Sequence, residues 1–152
     1  MAERTVLFLC TGNSCRSQMA EGIVNHFLAG SWRAYSAGTE PSGYVHPLAI
    51  SAMQEIGIDI SDGESKSTEQ FRDNAFELLI TVCDDAAEKC PIWLGEETVK
   101  HIAFPDPAQA TGDREEKMAV FRQVRDDIRE HIVDALHAHP GEGTPAGSEE
   151  QV

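Results

Sequence analysis

At 152 residues the chain is sized for one domain with a substantial core. Twelve basic side chains face twenty-six acidic ones, a formal charge of −14; this argues against nucleic acid as a partner, because backbone phosphates are held by clustered Lys and Arg. No apolar run is long enough to span a bilayer, and neither a signal peptide nor an internal repeat is visible, so no membrane is expected and the expected location is cytoplasmic.

The first strand is expected at residues 5–9, where Val6-Leu7-Phe8-Leu9 reads as fully buried, and the first helix at 17–28. A second strand is read at 32–36, then a second helix at 46–56 with Leu48, Met53 and Ile56 at its apolar positions. A short helix at 68–72 precedes a strong strand at 76–82, and a fourth strand is expected at 99–104. The last helix, 114–137, carries Met118, Phe121, Val124, Ile128, Ile132 and Leu136 at three- and four-residue intervals, a core-facing stripe. Strands alternating with helices imply an α/β domain built on a single open parallel four-stranded sheet flanked by helices. Beyond residue 138 come Pro140, Gly141, Gly143, Pro145, Gly147 and terminal glutamates, which cannot bury enough apolar surface to order themselves. The catalytic domain is therefore expected at 1–138 and a flexible tail at 139–152.

Between the first strand and the first helix lies Cys10-Thr11-Gly12-Asn13-Ser14-Cys15-Arg16-Ser17. A cysteine at a strand's end, a short polar loop with a glycine, and a helix start together make an anion cradle. The amides of Thr11, Gly12, Asn13, Ser14 and Cys15 and the helix N-terminus converge where an oxyanion can sit. Arg16 adds a planar, permanently charged fork that suits a tetrahedral oxyanion. The same positive surroundings populate the nucleophilic thiolate of Cys10 near neutral pH. Cysteine followed six positions on by arginine arises by chance for roughly one cysteine in twenty. The strand before it, the internal glycine, Ser17 and the helix beyond make the pattern specific. An inert core thiol, a common fate of free cysteine, has no need of such a loop. The chain's overall charge repels an anion at long range, but screening confines that to about 8 Å at physiological salt.

The remaining cysteines are Cys15, Cys83 and Cys90. In a cytosolic protein they read as catalytic or redox-active rather than as a structural framework. No Cys-x-x-Cys pair exists, and His26, His46, His101, His131, His137 and His139 show no ligand spacing. No metal is expected, and each histidine reads as a surface or packing residue. Cys83 follows the 76–82 strand at the sheet's carboxyl edge, where open α/β sheets place active sites, within reach of Cys10. Residues 84–89 are helix formers with Asp84 and Asp85 as starting charges, and Pro91 stops them. On such a helix Cys83 and Cys90 stand roughly 10 Å apart along the axis, more than the roughly 7 Å between Cα atoms that a disulfide allows. Joining them requires the helix to unwind, which suggests a redox switch. Asp106, between Pro105 and Pro107, is either a turn residue or a rigidly presented proton donor. Cys15 is a spectator or a protective partner for Cys10 under oxidation.

This loop resembles that of the low-molecular-weight protein tyrosine phosphatase superfamily: Cys, five residues, Arg, then Ser or Thr. The longer run CTGNSCRSQMAE, from Cys10 to Glu21, is similar to the arsenate reductases that share this fold. The resemblance spans residues 5–138 and departs from the phosphatases at Gln18, where they place proline. It implies a phosphatase-like fold and a relay that reduces arsenate to arsenite. Cys10 attacks arsenate held by Arg16 and the loop amides, and Asp106 protonates the departing hydroxyl. Cys83 attacks Cys10 and releases arsenite. Cys90 attacks Cys83, and a thioredoxin-type reductant with its NADPH-dependent reductase resets the final disulfide. Ser17 matches the residue that supports the Cys10 thiolate, and Asn13 one that shapes the loop. The partners implied are arsenate and thioredoxin, with no bound cofactor, in a monomer serving arsenic detoxification. Some relatives bind a monovalent cation through residues matching Asn13, Glu21 and Ser36. Here the acidic position falls on Lys66, whose ammonium either takes the cation's place against Glu21 or faces solvent.

Two other readings use the same residues. A low-molecular-weight tyrosine phosphatase needs only Cys10, Arg16 and Asp106. Against it, Ala108 stands where phosphatases place an aromatic residue, and Tyr35 and Tyr44 are remote from that loop in sequence. A loop that holds one tetrahedral oxyanion also holds another, so a weak phosphatase side activity accompanies the reductase reading. A redox sensor built on Cys83 and Cys90 leaves the anion loop unexplained.

Overall fold

The apolar run in β1 (Arg4–Cys10) has no wet side: Val6, Leu7, Phe8 and Leu9 are fully buried, as a strand covered on both faces of a parallel sheet must be. The computed structural model describes residues 4–71, 76–83 and 98–139. It pairs β1 with β2 (Trp32–Gly38) on one side and β3 (Leu78–Thr81) on the other, with β4 (Thr98–His101) outermost. All three pairings are parallel, in the order β2-β1-β3-β4. The chain leaves β1 for one neighbour and later returns to the other. That reversal opens a crevice at the carboxyl end of β1, and the loop after Cys10 occupies it.

Among the described residues, three α-helices cover the sheet. α1 (Arg16–Phe27) buries Met19, Ala20, Ile23 and Val24, and α2 (Pro47–Gln54) buries Ala49, Ala52 and Met53. α3 (Arg114–Ala138) packs on both of them, and its six stripe residues are each at most 2 % exposed. Its start is fixed by a reciprocal cap, in which Asp113 accepts the Glu116 N–H and the Glu116 carboxylate accepts the Asp113 N–H. Arg125 is buried beside the stripe, where it donates to Ala52 O at 2.8 Å and pairs with Glu55 and Asp126, each at 2.9 Å. A buried guanidinium is tolerated when its donors are matched, and this one pins α3 to the end of α2.

Element ends depart from expectation where local chemistry intervenes. α2 starts after His46, which caps it by accepting the Leu48 N–H on Nδ1 at 3.1 Å, with Pro47 in the first turn. It ends at Gln54 rather than 56, and Gly57, at φ +82°, then turns the chain. β4 stops at His101 instead of 104. Ile102 and Phe104 still donate to Thr81 O and Val82 O at 2.9 and 3.0 Å, but Pro105 has no N–H with which to continue. β3 is trimmed to 78–81, β2 runs on to Gly38, and the expected short helix is a 3-10 turn, Thr68–Phe71. Among the described residues no helix is long and apolar enough to cross a membrane. The segment expected as a tail lies, after His139, outside the described residues.

Candidate active site

Every carbonyl from Cys10 to Cys15 is engaged by its surroundings. Cys10 O accepts the Thr39 N–H at 3.2 Å, Thr11 O the Glu40 N–H at 2.9 Å, and Ser14 O the His46 N–H at 3.0 Å. Gly12 O accepts both the Ser42 N–H and the Ser65 hydroxyl at 2.9 Å, Asn13 O the Gln18 amide at 3.2 Å, and Cys15 O the Met19 N–H at 2.9 Å. With its carbonyls committed elsewhere, the loop keeps its amide N–H groups for the concave side, an arrangement that suits an anion.

Asn13 is the pivot. Its backbone sits at φ +50°, which Asn tolerates better than most residues. Its Oδ1 accepts the Lys66 N–H at 2.7 Å and the Gln18 Nε2 at 3.1 Å, which leaves Nδ2 to donate to Ser17 Oγ at 2.8 Å. With its oxygen accepting from Asn13, the Ser17 hydroxyl is left with a hydrogen to donate to a thiolate at Cys10 Sγ, 2.9 Å away. The Asn13 N–H donates to the same sulfur at 3.2 Å. Two donors thus converge on one buried sulfur, as a nucleophilic thiolate requires.

Gly38 closes β2 against this loop. A Cβ there would lie 2.5 Å from Thr11 O and 3.0 Å from Asn13 N. Gly38→Ala is therefore expected to lower the unfolding free energy by about 1–3 kcal/mol, the usual range for overpacking, as read from the urea midpoint. Because the displaced atoms belong to the loop itself, catalytic rates should fall further than stability does.

Arg16 donates through Nη1 to Phe104 O at 3.1 Å, and its Nη2 lies 3.7 Å from Asp106 Oδ2. Its Nε is buried and has no hydrogen-bond partner among the described residues. A guanidinium with an orphaned donor can gain by turning onto an anion. Asp106 caps the 3-10 turn Pro107–Gln109 by accepting the Ala108 N–H on Oδ1 at 3.0 Å, while its Oδ2 faces Arg16. The turn residue and the presented carboxyl group are thus the same side chain.

Cys10, Cys15 and Cys83 are free, buried thiols. Cys83 Sγ lies 3.5 Å from Thr11 Oγ1, so a second thiol sits beside the first residue of the loop. Cys90 and the segment 84–89 lie outside the described residues. The Cys15 thiol is pushed up to about 12, mainly by burial and further by the negative charges of Asp106 and Cys10. A rise from 9.0 to about 12 cuts the thiolate population roughly a thousandfold at neutral pH. Iodoacetamide at pH 8 is expected to leave Cys15 unmodified in the folded protein and to modify it on denaturation. Site-resolved mass spectrometry reads the difference, and fast native labelling would contradict it.

Lys66 lies where the resemblance put it. Its Nζ is 3.9 Å from Glu21 Oε1 and donates to Glu64 O at 2.8 Å, and its side chain is only 16 % exposed, so it does not simply face solvent. The Ser36 hydroxyl donates to the same Glu21 carboxylate. Burial raises the Glu21 carboxyl above its ordinary range, against the opposing pull of Ser36 and Lys66. Among the described residues no group of His, Cys, Asp and Glu is arranged to hold a metal.

Two residues do more than the sequence suggested. His46, read as surface or packing, caps α2, holds Ser14 O through its backbone, and packs its ring 4.9 Å from that of Phe121. A polar side chain directly before Pro47 was the available signal. Gln18, noted only as a departure, donates to Asn13 O, Asn13 Oδ1 and Glu64 O, and so braces the loop from behind.

The low molecular weight phosphotyrosine protein phosphatase family matches residues 5–140. An arsenate reductase from Shouchella clausii is 47 % identical over 132 residues, which cover 87 % of this chain and 94 % of the relative. A solved arsenate reductase in a phosphate-binding state has a TM-score of 0.75 at 35 % identity, covering 88 % of this chain and 97 % of that one. A thioredoxin-dependent arsenate reductase from Corynebacterium glutamicum has a TM-score of 0.65 at 25 % identity, covering 90 % of this chain and 64 % of that one. On this fold, loop and similarity, the chain belongs to the low molecular weight phosphotyrosine protein phosphatase family, and its relatives at high identity are arsenate reductases.

Proposed function

We propose that this protein reduces arsenate to arsenite through Cys10, Cys83 and Cys90, and that thioredoxin resets the final disulfide. The observation that carries the reading is the Cys83 thiol 3.5 Å from Thr11 Oγ1, at the edge of the Cys10 loop. A phosphatase has no use for a second thiol there, since water resolves its phosphocysteine.

Arsenate sits on the amides of Thr11 to Cys15, with Arg16 turned from Phe104 and Asp106 onto its oxygens. The Cys10 thiolate attacks arsenic and a sulfur–arsenic bond forms. Asp106 supplies the proton with which the departing oxygen leaves as water. Cys83 then attacks Cys10 Sγ, a Cys10–Cys83 disulfide forms, and the electron pair of the broken bond stays on arsenic, which departs as arsenite. Cys90 attacks Cys83 and returns Cys10 as a thiolate that Ser17 and Asn13 receive. Two thiols have lost two electrons, and a thioredoxin dithiol restores them. Lys66 balances Glu21 behind the loop, in place of a bound cation.

Thioredoxin as the reductant draws support from the Corynebacterium glutamicum relative and from the presence of Cys90 after Cys83 in the sequence. The test is arsenate-dependent NADPH oxidation with thioredoxin and its reductase. Steady turnover is expected for the native chain, and at most one stoichiometric event for Cys90→Ser. No turnover by either, beside robust hydrolysis of an aryl phosphate, would instead identify a phosphatase.

A further inference from the structure

Behind the oxyanion loop, between α1 and the turn that follows α2, lies an open cavity of about 440 Å³. Gln18 and Glu21 line it from α1, three residues apart and so on one helix face. Ile58 and Ile60 give it an apolar wall, and Asp59 and Asp62 bring two more carboxylates, while no Lys or Arg is in the lining. The Gln18 amide is held in one orientation. Its Nε2 has two hydrogens, committed to Glu64 O at 2.8 Å and to the two oxygens of Asn13 at 3.1 and 3.2 Å. Oε1 therefore points away from the loop. Gln18 is only 2 % exposed, yet Oε1 accepts no hydrogen bond among the described residues. Gly63, also in the lining, leaves this oxygen uncovered: a Cβ there would lie 2.7 Å from it. A buried carbonyl open to a cavity takes its donor from whatever fills that cavity. Glu21 repeats the pattern. The Ser36 hydroxyl and the Lys66 ammonium both meet its Oε1, and Oε2 has no partner among the described residues.

We propose that this cavity binds a short aliphatic polyamine, with one ammonium donating to Gln18 Oε1 and Glu21 and a second pairing with Asp62. The methylene chain lies over Ile58 and Ile60. Open acceptors and negative charge call for N–H donors and positive charge, and the two isoleucines call for an alkyl body. The space is many times the roughly 30 Å³ share of one water, and no three metal ligands converge among the described residues, so an organic cation fits better than a bare ion. Asp62 is available, since it makes no hydrogen bond or ion pair among the described residues, whereas Asp59 already accepts from the Ser61 N–H and hydroxyl. Burial raises the Glu21 carboxyl above its ordinary range, and a second cation beside it favours the ionised form. Lys66 occupies a different place, on the Oε1 side of Glu21 with Ser36.

The test is calorimetric titration of the full chain at physiological salt with spermidine, and with octanediol as a neutral chain of the same length. Saturable binding at one site is expected for spermidine and none for octanediol. Glu21→Gln should weaken binding by at least about tenfold, the effect of one charge-assisted hydrogen bond. Asp62→Asn, at the exposed end, should weaken it about two- to fivefold. Asp134→Asn removes an exposed carboxylate of α3 outside the cavity and should leave binding unchanged. Amide chemical shifts should move at residues 57–63 and on the facing turns of α1. Absence of saturation, or shifts centred elsewhere, would overturn the proposal. Equal weakening in all three variants would overturn it as well, by assigning the binding to the net charge of −14. Equal affinity for octanediol would do the same, by making the cavity merely apolar. Should Glu21→Gln fail to fold, Asp62→Asn against Asp134→Asn carries the same comparison.

Discussion

Cys10→Ser should abolish arsenate reduction, with turnover falling by at least about a thousandfold, because a hydroxyl in place of the nucleophilic thiolate cannot form the sulfur–arsenic bond. The exchange is nearly isosteric. Ser17 and Asn13 already direct their donors to this position, so a serine oxygen can accept both, and the unfolding midpoint should hardly move. Aryl phosphate hydrolysis should be lost in parallel, since both reactions begin with the same attack. A Cys10→Ser protein that keeps a tenth of the native rate on either substrate would place the chemistry elsewhere.

The second large effect divides those two reactions. Cys83→Ser leaves Cys10, Arg16 and Asp106 in place but removes the thiol beside Thr11. Multiple-turnover arsenate reduction should fall by at least about a thousandfold, because the thiol that attacks Cys10 and releases arsenite is gone. Aryl phosphate hydrolysis, resolved by water, should stay within about threefold of native, the scatter expected when no bond to the reacting atoms changes. Rapid-quench measurement of arsenite and aryl product from one preparation checks both halves. Parallel loss of the two activities would make Cys83 a structural residue of the loop.

The nucleophile and its arginine were legible because their chemistry is local. One strand end, one glycine and one helix start, within eight consecutive residues, define the cradle. The parallel sheet was legible for a similar reason, since β1 is apolar on both faces and α3 repeats its stripe over about five turns of helix. What holds the loop was not legible. Apart from Gln18 and Met19 of α1, its carbonyl partners come from Thr39, Glu40, Ser42, His46 and Ser65, and of these all but Ser65 use the backbone N–H that almost any residue would supply. No side-chain pattern records such a bond. Arg125 was hidden differently: at the edge of an apolar stripe it looks like a solvent-facing cation, and only the Ala52 carbonyl and Glu55 opposite explain why it can be buried. Strand ends were misread where pairing continued without strand geometry, as at Ile102 and Phe104 before Pro105.

The braces of the oxyanion loop also fix when it can exist. Two of them reach 53 residues along the chain, to Ser65 and Lys66, and the contact with Cys83 reaches 72. Closing segments of that length costs chain entropy before any bond rewards it. The bracing of the loop therefore waits on closures as long as the pairing of β1 with β3, whose partners Val6 and Leu78 also lie 72 residues apart. A partly folded chain carries Cys10 without the Asn13 and Ser17 donors arranged around it, and it is completion of the fold that gathers them onto the sulfur.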